Sequence, residues 1–244
     1  MLGPWPQRAG DKGLAMEKAK PKGILVLNKP KGITSHDVVN IVRRLFRIKK
    51  VGHAGTLDPI ATGVLVILIG EATKRFDLLI NGDKEYVARL RLGVVTDTGD
   101  AFGKVISSSQ SQGLDKDLIE KTIMDFKGEI EQVPPMFSAV KFKGKSLYKW
   151  ARKGITVPRK TRKITIKDIS IKEISLPDII FKVSCSRGTY IRQLCVDIGD
   201  RLGYGAHMAE LKRIRAGDFH ISQAVGIDEL KSLSEDALHN VLIE

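Results

Sequence analysis

A chain of 244 residues, 42% hydrophobic and 28% charged, is long enough to bury a full core and has the composition of an ordinary globular protein. Its longest unbroken apolar run, residues 64–69, is too short to cross a bilayer, and two cysteines are too few for a disulfide framework. Forty-one Lys and Arg against 28 Asp and Glu leave a formal charge of +13, which calls for a polyanionic partner, nucleic acid before an anionic membrane surface.

Residues 1–21 carry cations but no apolar stretch of the kind a secretory signal needs, so they are expected to be a disordered basic leader, with Met16 an alternative start. Residues 23–28 read as a buried strand ended by Lys29-Pro30-Lys31-Gly32, a turn signal. Thr34 or Ser35 then caps a helix with Val38, Ile41, Val42, Leu45 and Phe46 inward and Arg43, Arg44 and Arg47 on the solvated face. Residues 51–63 hold three glycines and one proline, too many for a helix and too irregular for a strand, so a tight loop is expected. It carries His53, Thr56, Asp58 and Thr62, and the apolar run behind it reads as a buried strand.

Residues 71–80 read as a short helix and 84–93 as a strand with Tyr86, Ala88, Leu90 and Leu92 on one face. Residues 96–100 form a polar turn, and 104–113, rich in serine, are expected to be a loop. A helix over 114–126 should bury Leu118, Ile119, Ile123 and Phe126. Strand alternation returns at 164–174 and 179–184, a helix follows at 189–202, and two short helices end the chain from residue 227. Cys185 and Cys195 fall where small core residues belong. Without regular βαβ alternation, the fold class is α/β in the α+β sense: a mixed, largely antiparallel sheet flanked by helices.

The charge is concentrated. Residues 132–167 contain eleven Lys and Arg and no acid, interleaved with Phe137, Phe142, Tyr148 and Trp150. Ordinary surfaces mix both signs, and cations among aromatics fit phosphates and stacked bases of looped or single-stranded RNA. The prolines and glycines at 134, 135, 144, 154 and 158 interrupt any continuous amphipathic face a membrane would need. Lys141, Lys143, Lys145, Lys149, Arg152, Lys153, Arg159 and Lys160 are the expected RNA contacts.

The five histidines and two cysteines make no metal-ligand spacing, and no phosphate or dinucleotide loop is present, so no metal and no cofactor are expected. Asp58 remains the candidate for reactive chemistry. On residue type alone it reads equally as a turn residue whose carboxylate accepts backbone N–H bonds, His53 as a structural histidine, Arg192 as a surface cation and Tyr86 as core.

Five motifs in order change that reading. Gly52-His53-Ala54-Gly55-Thr56-Leu57-Asp58-Pro59 resembles the signature of the TruB family of tRNA pseudouridine synthases. Leu27-Asn28-Lys29-Pro30-Lys31-Gly32-Ile33-Thr34-Ser35 is similar to its first motif, and Lys84-Glu85-Tyr86 with Thr96-Asp97-Thr98-Gly99-Asp100 to its second. Arg187-Gly188-Thr189-Tyr190-Ile191-Arg192 and Gly205-Ala206-His207-Met208-Ala209-Glu210-Leu211 are similar to later ones. The resemblance implies a cofactor-free RNA isomerase that flips out a uridine in the T-loop of tRNA (position 55) and makes it pseudouridine. By that resemblance Asp58 is the nucleophile, or a base in an elimination route. Arg192 is its ion-pair partner, and Tyr86 stacks on the base and is a candidate to remove its C5 proton. His53 and Asp100 contact the nucleotide, and Tyr190 and Leu211 line its pocket. Lys29-Pro30 shapes the core beneath.

The organisation expected is a catalytic domain over 22–230 with the basic T-loop-binding insertion at 132–167. Residues 231–244 are a helical stub where many members of the family carry a PUA domain. The expected partner is the tRNA T-arm, met by a cytoplasmic monomer needing neither membrane nor protein partner. An RNA-guided subunit and a non-catalytic tRNA-binding protein are the alternatives.

Overall fold

The computed structural model describes residues 21–111 and 113–243; of the expected leader over 1–21, residues 1–20 lie outside them. In chain order the strands are β1 (Gly23–Lys29), β2 (Val51–His53), β3 (Thr62–Ile69), β4 (Lys84–Leu92), β5 (Val94–Thr96), β6 (Val105–Ser108) and β7 (Gly128–Gln132). They continue as β8 (Lys141–Phe142), β9 (Lys145–Ser146), β10 (Arg162–Ser175), β11 (Asp178–Cys185), β12 (Ala206–Ala216), β13 (Phe219–His220) and β14 (Val225–Gly226). The helices are α1 (Ser35–Leu45), α2 (Phe76–Ile80), α3 (Lys116–Met124), α4 (Leu147–Ala151), α5 (Ile191–Arg201), α6 (Ile227–Ser232) and α7 (Glu235–Asn240).

One mixed sheet runs β14-β1-β3-β12-β4-β11-β10-β7, with β2 and β13 added beside β3 and β12. Most pairs are antiparallel; β12 runs parallel to β3, and β14 to β1. The run at 64–69 is buried on both faces because it lies inside this sheet, between β1 and β12. One face meets α1, α3 and α5 through Leu25, Leu27, Leu65, Ile67, Ala88, Leu90 and Phe181, and the other carries a smaller cluster around Val26, Val64 and Leu68. Burying such side chains is worth roughly 2 kcal/mol each, so the β3–β12 region is a rigid base for whatever loops emerge from it.

Several expectations need correction. The loop over 51–63 begins as β2, paired with β3 through Val51, Gly52 and His53, and Thr62 and Gly63 already belong to β3. Residues 105–108 are not loop but β6, which forms a small hairpin with β5; its four side chains are all exposed, so no apolar alternation marks it. Leu118 is 50% exposed, because α3 turns only the Ile119–Ile123 side to the sheet. Arg43 is not on a free surface: its guanidinium donates to the Val51 carbonyl at 3.1 Å, tying α1 to β2. The C-terminal helices are packed in, with Leu230 and Leu238 buried in the main core and Ile243 bridged to Ile24.

Candidate active site

The loop bearing Asp58 is held from three sides. Thr34 caps α1 in a reciprocal box with Asp37, which fixes the next residue, Ser35, beneath the loop. Ser35 Oγ accepts from Leu57 N at 2.9 Å and donates to Leu57 O at 3.0 Å. From β1, the wholly buried Lys29 ammonium donates to Pro30 O and Ile33 O at 2.8 Å and reaches Pro59 O at 3.5 Å. Burial pulls that ammonium down to about 8, with Arg213 adding to the effect and Asp58 opposing it. From β12, Arg213 donates to Val64 O at 2.7 Å, Gly55 O at 3.0 Å and Thr56 O at 3.3 Å. Gly63 lets β3 lie against this arginine: its φ is +98°, and a Cβ there would sit 2.1 Å from Arg213 O.

Asp58 meets Arg192 at 2.9 Å across that loop. Arg192 is not a surface cation but 4% exposed, at the start of α5. One amino group donates to Phe137 O at 2.8 Å and the other to Thr98 O at 3.1 Å, so the turn after β5 and the start of the basic segment both grip it. Gln132 fixes the entry to α5, accepting from Tyr190 N at 2.8 Å and donating to Tyr190 O at 3.1 Å. Burial raises the Asp58 carboxyl above its ordinary value, and Asp100 adds to this while Arg192 and Lys29 oppose it. The result is a carboxylate with one ion-pair partner and part of its surface open, since 35% of the side chain remains accessible.

The opening is a cavity of about 290 Å³ whose lining includes Asp58, Tyr86, Ser138, Tyr190, Arg192 and Leu211. Five sequence-predicted residues thus converge here: Asp58, Tyr86, Arg192, Tyr190 and Leu211. Tyr86 is 8% exposed, and burial raises its phenol above the usual value despite Arg213 beside it. Two expected residues do not line the cavity. His53 belongs to β2, with Nδ1 buried and unpartnered and its imidazole held low by burial. The Asp100 carboxylate is buried behind Arg192 at 3.6 Å, accepting from Thr98 Oγ1 at 2.8 Å and Phe102 N at 3.0 Å. Arg213, Gln132 and Ser138 have no site role in the sequence reading. Arg213 lies on β12, a strand that the sequence pattern does not mark, and Gln132 carries no signal beyond its polarity. Ser138 falls in a stretch, 134–141, that resembles the stand-alone bacterial branch of the family without pointing to the site.

Beyond Gln132 the chain leaves the sheet and returns at Arg162, so residues 162–167 of the acid-free run belong to β10. The remainder folds as the β8–β9 hairpin and α4 over buried Leu147 and Val157, with Arg159 donating to Pro134 O at 3.1 Å across its base. Lys141, Lys143, Lys145, Lys149, Arg152, Lys153 and Lys160 are exposed, and Arg159 is half-buried. The aromatics do not form an open row. Phe142 packs edge-on against Trp150 at 6.3 Å, Lys143 and Lys145 sit over these rings, Phe137 lines the cavity, and Tyr148 alone of the four is exposed.

Residues 43–191 match the model of the TruB family pseudouridylate synthase N-terminal domain, and residues 192–243 that of the tRNA pseudouridylate synthase B C-terminal domain. The boundary falls at the first turn of α5, and both parts build the same sheet. The tRNA pseudouridine synthase B of Clostridium tetani is 50% identical over 208 residues, 85% of this chain and 72% of its own. That of Clostridium kluyveri is 52% identical over 210 residues, 86% of this chain and 72% of its own. Among solved structures, the Cbf5–Nop10–Gar1 complex matches with a TM-score of 0.69 at 32% identity, over 91% of this chain and 59% of that chain. Matched along both halves and identical to these relatives at about every second aligned residue, the chain belongs to the TruB family of tRNA pseudouridine synthases.

Proposed function

We propose that this enzyme isomerises uridine to pseudouridine at position 55, in the T-loop of tRNA, as a stand-alone cytoplasmic monomer. The observation that carries the reading is the Asp58–Arg192 pair at the edge of a cavity walled by Tyr86 and by the first residues of the basic segment. The reaction breaks the C1′–N1 bond, forms C1′–C5, takes a proton from C5 and returns one to N1. Atoms and electrons balance without an oxidant or reductant. The base is stacked inside a folded RNA loop, so it must be flipped out to reach Asp58.

Asp58 acts as nucleophile on the uracil ring or on C1′, or as base in the elimination route. Arg192 keeps it ionised and aimed. Burial holds Tyr86 as a neutral phenol, so it serves as a stacking face and takes the C5 proton only as its own leaves. Tyr190 and Leu211 complete the pocket. Asp100, buried against Arg192, orients that arginine rather than touching the nucleotide. His53 supports the nucleotide from β2. The basic segment, fixed to Arg192 through Phe137 O, grips the T-arm next to the chemistry.

The test incubates the pure protein with unmodified tRNA or a T-arm stem-loop and no other RNA. Pseudouridine at the one position is expected. The likeness to a Cbf5–Nop10–Gar1 complex is the observation that favours an RNA-guided subunit instead. Product only after a guide RNA is added would establish that second reading.

A further inference from the structure

The cations of the cavity wall are engaged within the protein. Arg192 holds Asp58 and two carbonyls, Arg213 holds the loop backbone, Lys84 donates to Ile80 O and Gly82 O, and Arg187 donates to Asn81 Oδ1. Two hydroxyls are engaged too: Ser186 Oγ accepts from Thr165 N at 2.9 Å, and Thr189 Oγ1 donates to Ser186 O at 2.9 Å. Ser138 differs. It lines the cavity and is 6% exposed, and its Oγ, shielded from solvent, has no partner in full hydrogen-bond geometry. Only its backbone serves the fold, donating to Met136 O at 3.0 Å and accepting from Tyr148 N at 3.1 Å. The side chain interacts with the Tyr190 hydroxyl across the same cavity: burial raises that phenol, and Ser138 acts against the rise.

A buried hydroxyl whose hydrogen bond is not fully formed is uncommon enough to need a reason. We propose that Ser138 Oγ is a substrate-positioning group that donates a hydrogen bond to a carbonyl oxygen of the flipped uracil. The inference rests on the functional reading above. A flipped nucleotide enters base first and leaves its charged phosphates at the wetter mouth, so a solvent-shielded hydroxyl meets the base and not the backbone. Uracil offers two carbonyl acceptors, O2 and O4, and the freely turning Ser138 hydroxyl can reach for either. Phe137, the preceding residue, holds Arg192 through its carbonyl. One short stretch of the basic segment thereby positions both the catalytic pair and the base.

The experiment compares wild type, Ser138→Ala and Ser138→Thr on T-arm stem-loops carrying uridine, 2-thiouridine or 4-thiouridine at the target. On uridine, Ser138→Ala is expected to lose about tenfold in kcat/KM. Tm should not move, because no hydrogen bond of the fold ends on Oγ. Ser138→Thr keeps the hydroxyl and should recover most of the loss. On one of the two thio-substituted RNAs the Ser138→Ala penalty should vanish, since sulfur is already a poor acceptor. Equal penalties on all three RNAs, or no penalty on uridine, would each overturn the proposal. A wild-type protein inactive on uridine is a different result, and it removes the functional reading instead.

Discussion

At Asp58, the proposed nucleophile, two demands oppose each other: that role needs the carboxyl ionised, and burial favours keeping its proton. Arg192 opposes burial without cancelling it: it is itself buried, fixed by two carbonyls, and 2.9 Å away. Asp58→Asn keeps the shape and removes the charge, so turnover should be abolished while RNA binding stays within a few-fold; loss of binding with normal turnover per complex would refute the role. The sign of the pH effect follows from the raised Asp58 value. Below it the group is protonated and inactive, so kcat should fall with acid at a pH above that of an ordinary carboxylate. Arg192→Met removes the opposing cation and should move that limb further up. A limb that stays put would show that Arg192 does not tune Asp58.

At the scale of elements, the loop bearing Asp58 is held by three buried anchors, Ser35, Lys29 and Arg213, and Gly63 is where backbone meets backbone. Gly63→Ala would need a positive φ and place Cβ against the Arg213 carbonyl, so it should cost roughly 3 kcal/mol or more. Gly52→Ala, with open space around its Cβ position, should cost under about 1 kcal/mol. Denaturant titrations of both check the contrast, and equal losses would sink it. The same elements show what the sequence makes legible. Helix α1 and strand β4 were readable because their burial follows the local 3.6- and 2-residue periods. Strand β2 and the β5–β6 hairpin were not, since three residues that include a glycine and four exposed ones carry no period. Asp58, Tyr86 and Arg192 could be named from motifs, but Arg213 could not. Its value comes from lying beside the catalytic loop, more than 150 residues away in sequence, and such non-local pairing leaves no local trace.

Across the whole molecule, charge and chemistry occupy adjoining regions. Of the eleven cations of residues 132–167, four lie on the β8–β9 hairpin and α4, four on the stretch that leads back to the sheet and three on β10. Phe137, Ser138 and Ala139 of the same segment line the cavity beside Asp58. Lys141, Lys143, Lys145 and Lys149 are exposed, and none carries the local fold, which rests on Leu147, Val157 and the Phe142–Trp150 contact. Replacing these four with Gln should leave Tm nearly unchanged. If all four meet phosphates, the slope of log K against log salt should fall by roughly 3. Because the Asp58–Arg192 geometry lies outside the substitutions, kcat at saturating RNA should hold while KM rises. The distinguishing measurement is RNA affinity at several salt concentrations: an unchanged slope would show that these lysines do not touch the backbone, and the RNA-gripping role would then pass from the segment's tip to its base around Arg159 and Lys160.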